Sequence, residues 1–177
     1  MRRFMLFCVA AVAVAMMGCS ASKDFTFSID KDVVVNNYTS TSYTSTATLD
    51  ATQYSSDFKT YKSDLKSLTI TSASYTITSF TGPSTQKITS ATVTASSTDG
   101  ATSKVLATLS NVNLASVAAI SQPLTLTSDG QQFFQDQLSG PTNSVVITFT
   151  GTSNQAPVSF TVRFHFDIKG TYSKSLI

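Results

Sequence analysis

Three residues near the C-terminus have types and spacing that could support hydrolysis. Arg163, His165 and Asp167 are each two positions apart, so a β-strand would place all three side chains on one face. His165 is the single histidine of the chain, and a serine brought beside it would complete a Ser-His-Asp arrangement. The same spacing arises on the solvated face of any amphipathic strand, which is the interpretation that the pattern favours.

Other polar and aromatic residues are weaker candidates for binding. Residues 30–32 could offer carboxylate oxygens to Ca²⁺, but Lys31 opposes a cation and no Asp-rich loop accompanies them, so a strand-end turn is expected. Tyr38 and Tyr43 lie in a Ser/Thr-rich stretch and could stack on a sugar or contact a partner protein, or could be ordinary edge-strand tyrosines. Three lysines could touch anionic headgroups or simply line a solvated helix flank: Lys59, Lys62 and Lys66.

The composition argues against several functional classes. The chain has no Glu, and Cys8 and Cys19 are its two cysteines, so the usual zinc ligand sets with several His or Cys are excluded. Neither a G-x-S-x-G elbow nor a phosphate-binding glycine loop occurs. We therefore expect no metal site, no cofactor and no catalytic activity. Without Arg2 and Arg3 the chain carries ten basic and ten acidic residues, which predicts no nucleic-acid partner.

The clearest secondary-structure pattern is a C-terminal strand over residues 158–169. Apolar and polar residues alternate there without interruption, which predicts one buried face and one solvated face. Because this is the most regular alternation in the chain, we expect the strand to anchor the core. The predicted buried face consists of Val158, Phe160, Val162, Phe164, Phe166 and Ile168.

Shorter patterns predict further strands and turns. The alternation changes phase between Ile70 and Tyr75, as a β-bulge would produce. Asp99-Gly100 is a hairpin signal. Residues 38–49 fit either a polar edge strand or a loop. Other strands are expected over residues 25–35, 88–97, 103–109 and 145–150, with two weak strands around Pro123 within residues 112–127.

Two helices are predicted among these strands. Asp50 and Gln53 form a capping box, and an apolar stripe at helical spacing follows, consisting of Tyr54, Phe58, Tyr61 and Leu65. Ser128 or Asp129 caps a second helix, which ends at Gly140-Pro141 and carries Phe133, Phe134 and Leu138. Many short strands with few helices predict a mainly β fold, an antiparallel β-sandwich with one or two short helices.

The N-terminus contains an export signal followed by a cysteine. Arg2 and Arg3 precede an apolar run of 15 residues that ends at Gly18 and is too short for a spanning helix of ~20 residues. The segment Met16-Met17-Gly18-Cys19 resembles the lipobox of bacterial lipoproteins, with Met16 where that family usually has Leu. The resemblance implies cleavage before Cys19, diacylglycerol on its sulfur and acylation of the new N-terminus.

The resemblance also implies a location and a domain organisation. Residues 1–18 are then the signal peptide, residues 19–24 a lipidated tether, and residues 25–177 a single β-sandwich domain. Ser20 rather than Asp follows the cysteine, which in the family favours the outer membrane, with the domain facing the periplasm or the cell surface.

The expected function is that of a non-catalytic binding or structural module of the cell envelope, held at the membrane by its lipid. An envelope protein or a glycan is the expected partner. Two alternatives stay open: a carrier of an apolar ligand between the sandwich and its helices, and a hydrolase using His165.

Overall fold

A computed structural model describes residues 20–175, which form eight strands and three α-helices. The strands are β1 (Ser20–Asn37), β2 (Ser42–Asp50), β3 (Leu65–Phe80), β4 (Lys87–Ser96), β5 (Ser103–Asn113), β6 (Gln122–Pro123), β7 (Ser144–Ser153) and β8 (Val158–Ser175). The α-helices are α1 (Ser56–Tyr61), α2 (Leu114–Val117) and α3 (Ser128–Ser139), and two 3₁₀ turns lie at Ala51–Gln53 and Lys62–Asp64.

The strands form two four-stranded sheets, which confirms the predicted sandwich. Sheet A has the strand order β1-β8-β3-β6, and sheet B has the order β2-β7-β4-β5. Every ladder between named strands is antiparallel. The two longest strands, β1 and β8, pair over their whole length from Ser20–Ser175 to Asn37–Val158.

The core lies between the sheets, and β8 contributes to it as its sequence predicts. All six apolar residues of the alternating segment are buried, because β8 is a central strand whose inner face meets sheet B. Phe149 of β7 packs against Phe164 and Phe160 of β8 with ring centroids 5.7 and 6.3 Å apart. These edge-to-face contacts join the two sheets across the middle of the sandwich.

The phase change in β3 is a β-bulge, as the alternation predicts. The register with β8 shifts between Ile70 and Ser72, and again near each end of β3. Each bulge adds one unpaired residue, so Ile70 and Tyr75 both face the core although five positions separate them. The turn around Asp99-Gly100 also forms, with Gly100 at a φ of 72°.

The start of the domain differs from the expectation. Residues 20–24, expected to be part of a tether, belong to β1 and pair with the end of β8. Residues 38–49, which the sequence left undecided, contain most of β2.

The predicted continuous helix after Asp50 is wrong. Asp50 caps only the 3₁₀ turn at Ala51–Gln53, where its Oδ1 accepts from Thr52 N at 2.9 Å. A separate helix, α1, begins after Ser55, whose Oγ accepts from Phe58 N at 3.0 Å. Tertiary contacts favour the break, because Phe58 packs fully buried against Phe25 and Phe27 of β1.

The two weak strands expected within residues 112–127 are also wrong in large part. β5 extends to Asn113, whose Oδ1 accepts from Ser116 N and caps α2. After Asn113, the one named strand in this segment is Gln122–Pro123, which pairs with Ser74 and Tyr75 of β3. The next helix, α3, is capped by Thr127 rather than by Ser128 or Asp129, since Thr127 Oγ1 accepts from Gly130 N.

Candidate functional site

The outer face of sheet A carries a line of ionisable side chains, here called the charged strip. Its members lie on neighbouring positions of β1 and β8 because the two strands pair Asp30 with His165 and Asp32 with Arg163. Arg163 Nε and Nη2 donate to the two carboxylate oxygens of Asp32 at 2.7 and 2.9 Å. The strip consists of Asp24, Asp30, Asp32, Arg163, His165, Asp167 and Lys169.

His165 lies between two carboxylates. Its Nδ1 is 2.8 Å from Asp30 Oδ1, and its Nε2 is 3.1 Å from Asp167 Oδ1. The side chain is 35% exposed, so water still reaches part of the ring. The hydrogen bond with Asp30 is the main cause that raises the pKa of His165 above its usual value, against a smaller opposing effect of burial.

Asp167 joins three strands of sheet A. Ser28 Oγ of β1 donates to its Oδ1 at 2.6 Å, and Ser72 Oγ of β3 donates to its Oδ2 at 2.6 Å. These two hydroxyl donors, more than the nearby His165, hold the pKa of Asp167 below its usual value. The strip therefore places His165, whose pKa is raised, beside Asp167, whose pKa is lowered.

This geometry is not that of a Ser-His-Asp triad. A triad needs one ring nitrogen of the histidine to accept a proton from a serine. Both ring nitrogens of His165 face carboxylates, and Ser28 and Ser72 donate to Asp167 instead of to the histidine. The face prediction for Arg163, His165 and Asp167 is confirmed, since the three side chains lie on the outer side of β8.

The other candidates of the sequence are scattered. Tyr38 is 74% exposed, but Tyr43 is 5% exposed and its ring packs against Phe149 and Phe160, so Tyr43 has no ring face available for a sugar. Asp30 and Asp32 belong to β1 rather than to a turn, and they bind His165 and Arg163. No group of three His, Cys, Asp or Glu side chains in residues 20–175 is placed to hold a metal ion.

The three lysines do not line one helix. Lys59 lies in α1, Lys62 in the following 3₁₀ turn and Lys66 in β3. Cys19 lies outside the described residues. Within the part of the chain that the structure describes, no helix is long and apolar enough to cross a membrane.

A groove of about 780 Å³ runs between α3 and the first half of β3. It exists because β6 pairs with β3 only at Ser74 and Tyr75, which leaves the edge of β3 before those residues without a neighbouring strand. We call it the α3 groove. Its lining is Lys62, Ser63, Leu65, Lys66, Ser67, Leu68, Thr69, Gln131, Gln132, Gln135, Asp136 and Ser139.

Two glutamines of α3 close one end of this groove. Gln135 Oε1 accepts from Ile70 N at 2.8 Å, and Gln131 Nε2 donates to Ile70 O at 3.2 Å. The two amide side chains thus make the hydrogen bonds to Ile70 that a neighbouring strand would otherwise make. Sequence reasoning missed the groove, although the spacing of four between Gln131 and Gln135 places two amides on one helix face and is a usable signal.

Comparisons with known proteins do not assign a family. No protein-family model matches the chain, and no curated protein matches it. A solved structure titled Desmodium yellow mottle tymovirus is similar to it, with 11% identity and a TM-score of 0.31, over 100% of this chain and 94% of that one. A TM-score this low carries no inference about fold or function.

Proposed function

We propose that the chain is a lipid-anchored protein of the bacterial outer membrane whose β-sandwich is a non-catalytic binding module. The observation that supports a lipid anchor is the order of features at the N-terminus: the basic pair Arg2 and Arg3, an uncharged apolar run, and then Gly18-Cys19. β1 begins at Ser20, directly after that cysteine. A lipid on Cys19 would therefore hold the first strand of the sandwich close to the membrane, without a flexible spacer.

The strength of such an anchor follows from its apolar carbon. Each buried methylene contributes about 0.8 kcal/mol, and one acyl chain alone gives only marginal binding. Two or three chains on Cys19 make the attachment effectively permanent. Ser20 after the cysteine favours outer-membrane sorting in the family that the signal resembles.

The contacts of the domain support binding rather than catalysis or transport. Both ring nitrogens of His165 are engaged by carboxylates, so no proton acceptor is poised for a serine. The space between the sheets is filled by packed rings such as Phe149 and Phe164, whereas the α3 groove is open and mostly polar. A groove of this size and lining fits the binding of a polar partner in the envelope.

The anchor is tested in the producing bacterium with two matched cysteine variants. Cys19→Ser is expected to abolish incorporation of labelled fatty acid and to release the protein from the membrane fraction. Cys8→Ser is the control, because Cys8 lies in the segment that is removed and should change neither result. If Cys19→Ser keeps its acyl label and stays with the membrane, the proposal is wrong.

A further inference from the structure

We infer that the α3 groove binds an extended, acidic peptide segment, which adds to the edge of β3 as an extra strand. The inference rests on the proposed binding role but not on the lipid at Cys19. It is carried by three features of the groove: unpaired backbone groups on β3, a helix wall opposite them, and a positive charge at the rim.

The backbone of β3 offers hydrogen bonds at strand spacing. Ile70 presents its N–H and C=O away from β8, since Gln135 and Gln131 bind them. Residues 68–70 pair with β8 without a register shift, so Leu68 presents its backbone groups to the same edge. Among residues 20–175, no partner for the N–H or C=O of Leu68 is found on that side.

A peptide backbone fits this edge better than other partners do. An added strand hydrogen-bonds to alternate residues of an exposed edge, which is how extended peptides bind several domain types. Residues 67–69, between the bulge at Lys66 and the bound Ile70, offer about 10 Å of regular edge at ~3.3 Å per residue, enough for about three residues of the peptide. None of the lining residues is aromatic, so the groove lacks the ring on which a sugar would stack.

The charge of the groove selects an acidic peptide. Lys62 and Lys66 lie on the β3 side, against the single carboxylate of Asp136 on α3. Lys62 Nζ donates to Asn143 Oδ1 at 2.9 Å, and its charge is partly balanced by the carboxylate of Asp50. Lys66 is exposed and lies beside the open edge. A carboxylate of the peptide would therefore meet a net positive rim.

The test measures peptide binding to the full-length protein purified in detergent, so that its outcome is independent of the lipidation experiment. The probes are fluorescent five-residue peptides of alternating Thr and Val, with one Asp placed at each position in turn. Matched probes carry Asn in place of Asp, or N-methyl groups on alternate backbone amides. Hydrogen–deuterium exchange over residues 65–69 is followed in the same samples.

We expect at least one Asp peptide to bind and to slow exchange at residues 65–69. The N-methylated form should bind at least tenfold more weakly, because it cannot complete the ladder. Lys66→Gln should weaken the Asp peptide about two- to fivefold, the effect of losing an exposed ion pair, and leave the Asn peptide unchanged. Lys59→Gln is the matched control, since Lys59 does not line the groove and its loss should have no effect.

A second variant tests the location directly. Ser139 is an exposed residue of α3 at the groove, and Ser139→Trp should fill the space and block the Asp and Asn peptides alike. The inference is overturned if no peptide binds at millimolar concentration, or if binding is indifferent to N-methylation. Equal effects of Lys66→Gln and Lys59→Gln, or binding of a neutral oligosaccharide with protection of residues 65–69, would overturn it as well.

Discussion

The outer faces of the two sheets use different chemistry on the same backbone pattern. Sheet A carries the charged strip, in which Arg163 binds Asp32 and His165 binds Asp30 across β1 and β8. In sheet B the ionised residues of β2, β7 and β4 lie at strand ends, Asp50 at the end of β2 and Lys87 at the start of β4. The outward positions between these ends, here called the hydroxyl face, carry Ser or Thr except at Val146. Those positions are Ser42, Thr44, Thr46, Thr48, Ser90, Thr92, Thr94, Ser96, Val146, Thr148, Thr150 and Thr152.

The charged strip bears on the register of β1 against β8. A slip of β1 by two residues in one direction would place Asp30 opposite Asp167, whereas a slip in the other direction would place Asp30 opposite Arg163 and Asp24 opposite Lys169. Like charges directly opposite each other destabilise a ladder, and opposite charges stabilise it. On the hydroxyl face, pairs such as Thr44–Thr150 recur along the strands and discriminate weakly between registers. The charges thus oppose one of the two slips of this 18-residue edge strand.

The largest loss of stability is expected for substitutions in the core between the two sheets. Phe164→Ala in sheet A and Phe149→Ala in sheet B should each lower the free energy of unfolding by about 3–5 kcal/mol, because each leaves a cavity in the same core. Thr161→Ala, on the outer face of β8, should change it by no more than about 0.5 kcal/mol. Urea unfolding of each variant beside the parent protein gives the values. Equal losses at Phe164 and Thr161 would contradict a one-sided β8.

A smaller effect should separate the two outer faces. Asp167→Asn weakens two hydrogen bonds that join β8 to β1 and β3, and a third with His165 within β8, and should cost about 1 kcal/mol given its partial exposure. Thr150→Val removes one hydroxyl pair with Thr44 on the hydroxyl face, and should cost less than about 0.5 kcal/mol. The difference in cost between the two variants should decrease in high salt, because salt screens the charges around Asp167 and the Thr44–Thr150 pair carries no charge. Equal costs would show that the charges of sheet A add nothing.

The smallest effect is a pH dependence confined to sheet A. Because the pKa of His165 is raised in the folded state, its contribution to stability is complete below about pH 6.5 and disappears as the pH rises through the folded-state pKa. Asp167, whose pKa is lowered, loses its contribution only at strongly acidic pH. The stability difference between the parent protein and His165→Gln should therefore decrease towards alkaline pH.

Two measurements check this pH dependence. Urea unfolding of both proteins between pH 5 and pH 9 gives the difference, and NMR titration of the imidazole gives its pKa directly. Asp30→Asn should reduce the upward shift of that pKa, and Thr150→Val should leave it unchanged. A pKa of His165 at or below the ordinary value of 6.5 would contradict the contacts with Asp30 and Asp167.

Local patterns were sufficient to predict the sandwich and the outward face of β8. Alternation reports which side of a strand is buried, so the shared face of Arg163, His165 and Asp167 could be predicted. Their partners could not, because Asp30 and His165 are 135 positions apart and only the pairing of β1 with β8 brings them together. The charged strip is a product of topology, which no local spacing encodes.

The errors arose where tertiary contacts outweigh local preference. The stripe from Tyr54 to Leu65 has helical spacing, yet its residues contact different elements of the fold. Phe58 packs on β1, and Tyr61 stacks on Tyr172 of β8 with centroids 4.0 Å apart. Both residues lie in α1, whereas Tyr54 precedes α1 and donates to Asp30 O, and Leu65 already belongs to β3. The α3 groove was missed for a related reason, since it depends on where β6 stops pairing with β3.

Attachment through Cys19 is the claim on which the functional account depends most. The direct measurement is the mass of the N-terminal peptide of the protein purified from membranes of the bacterium that makes it. Lipidation at Cys19 predicts a peptide that begins at Cys19 and carries the added mass of a diacylglycerol and an acyl chain. A peptide that begins at Met1, or one that begins at Cys19 or beyond without lipid, would contradict it.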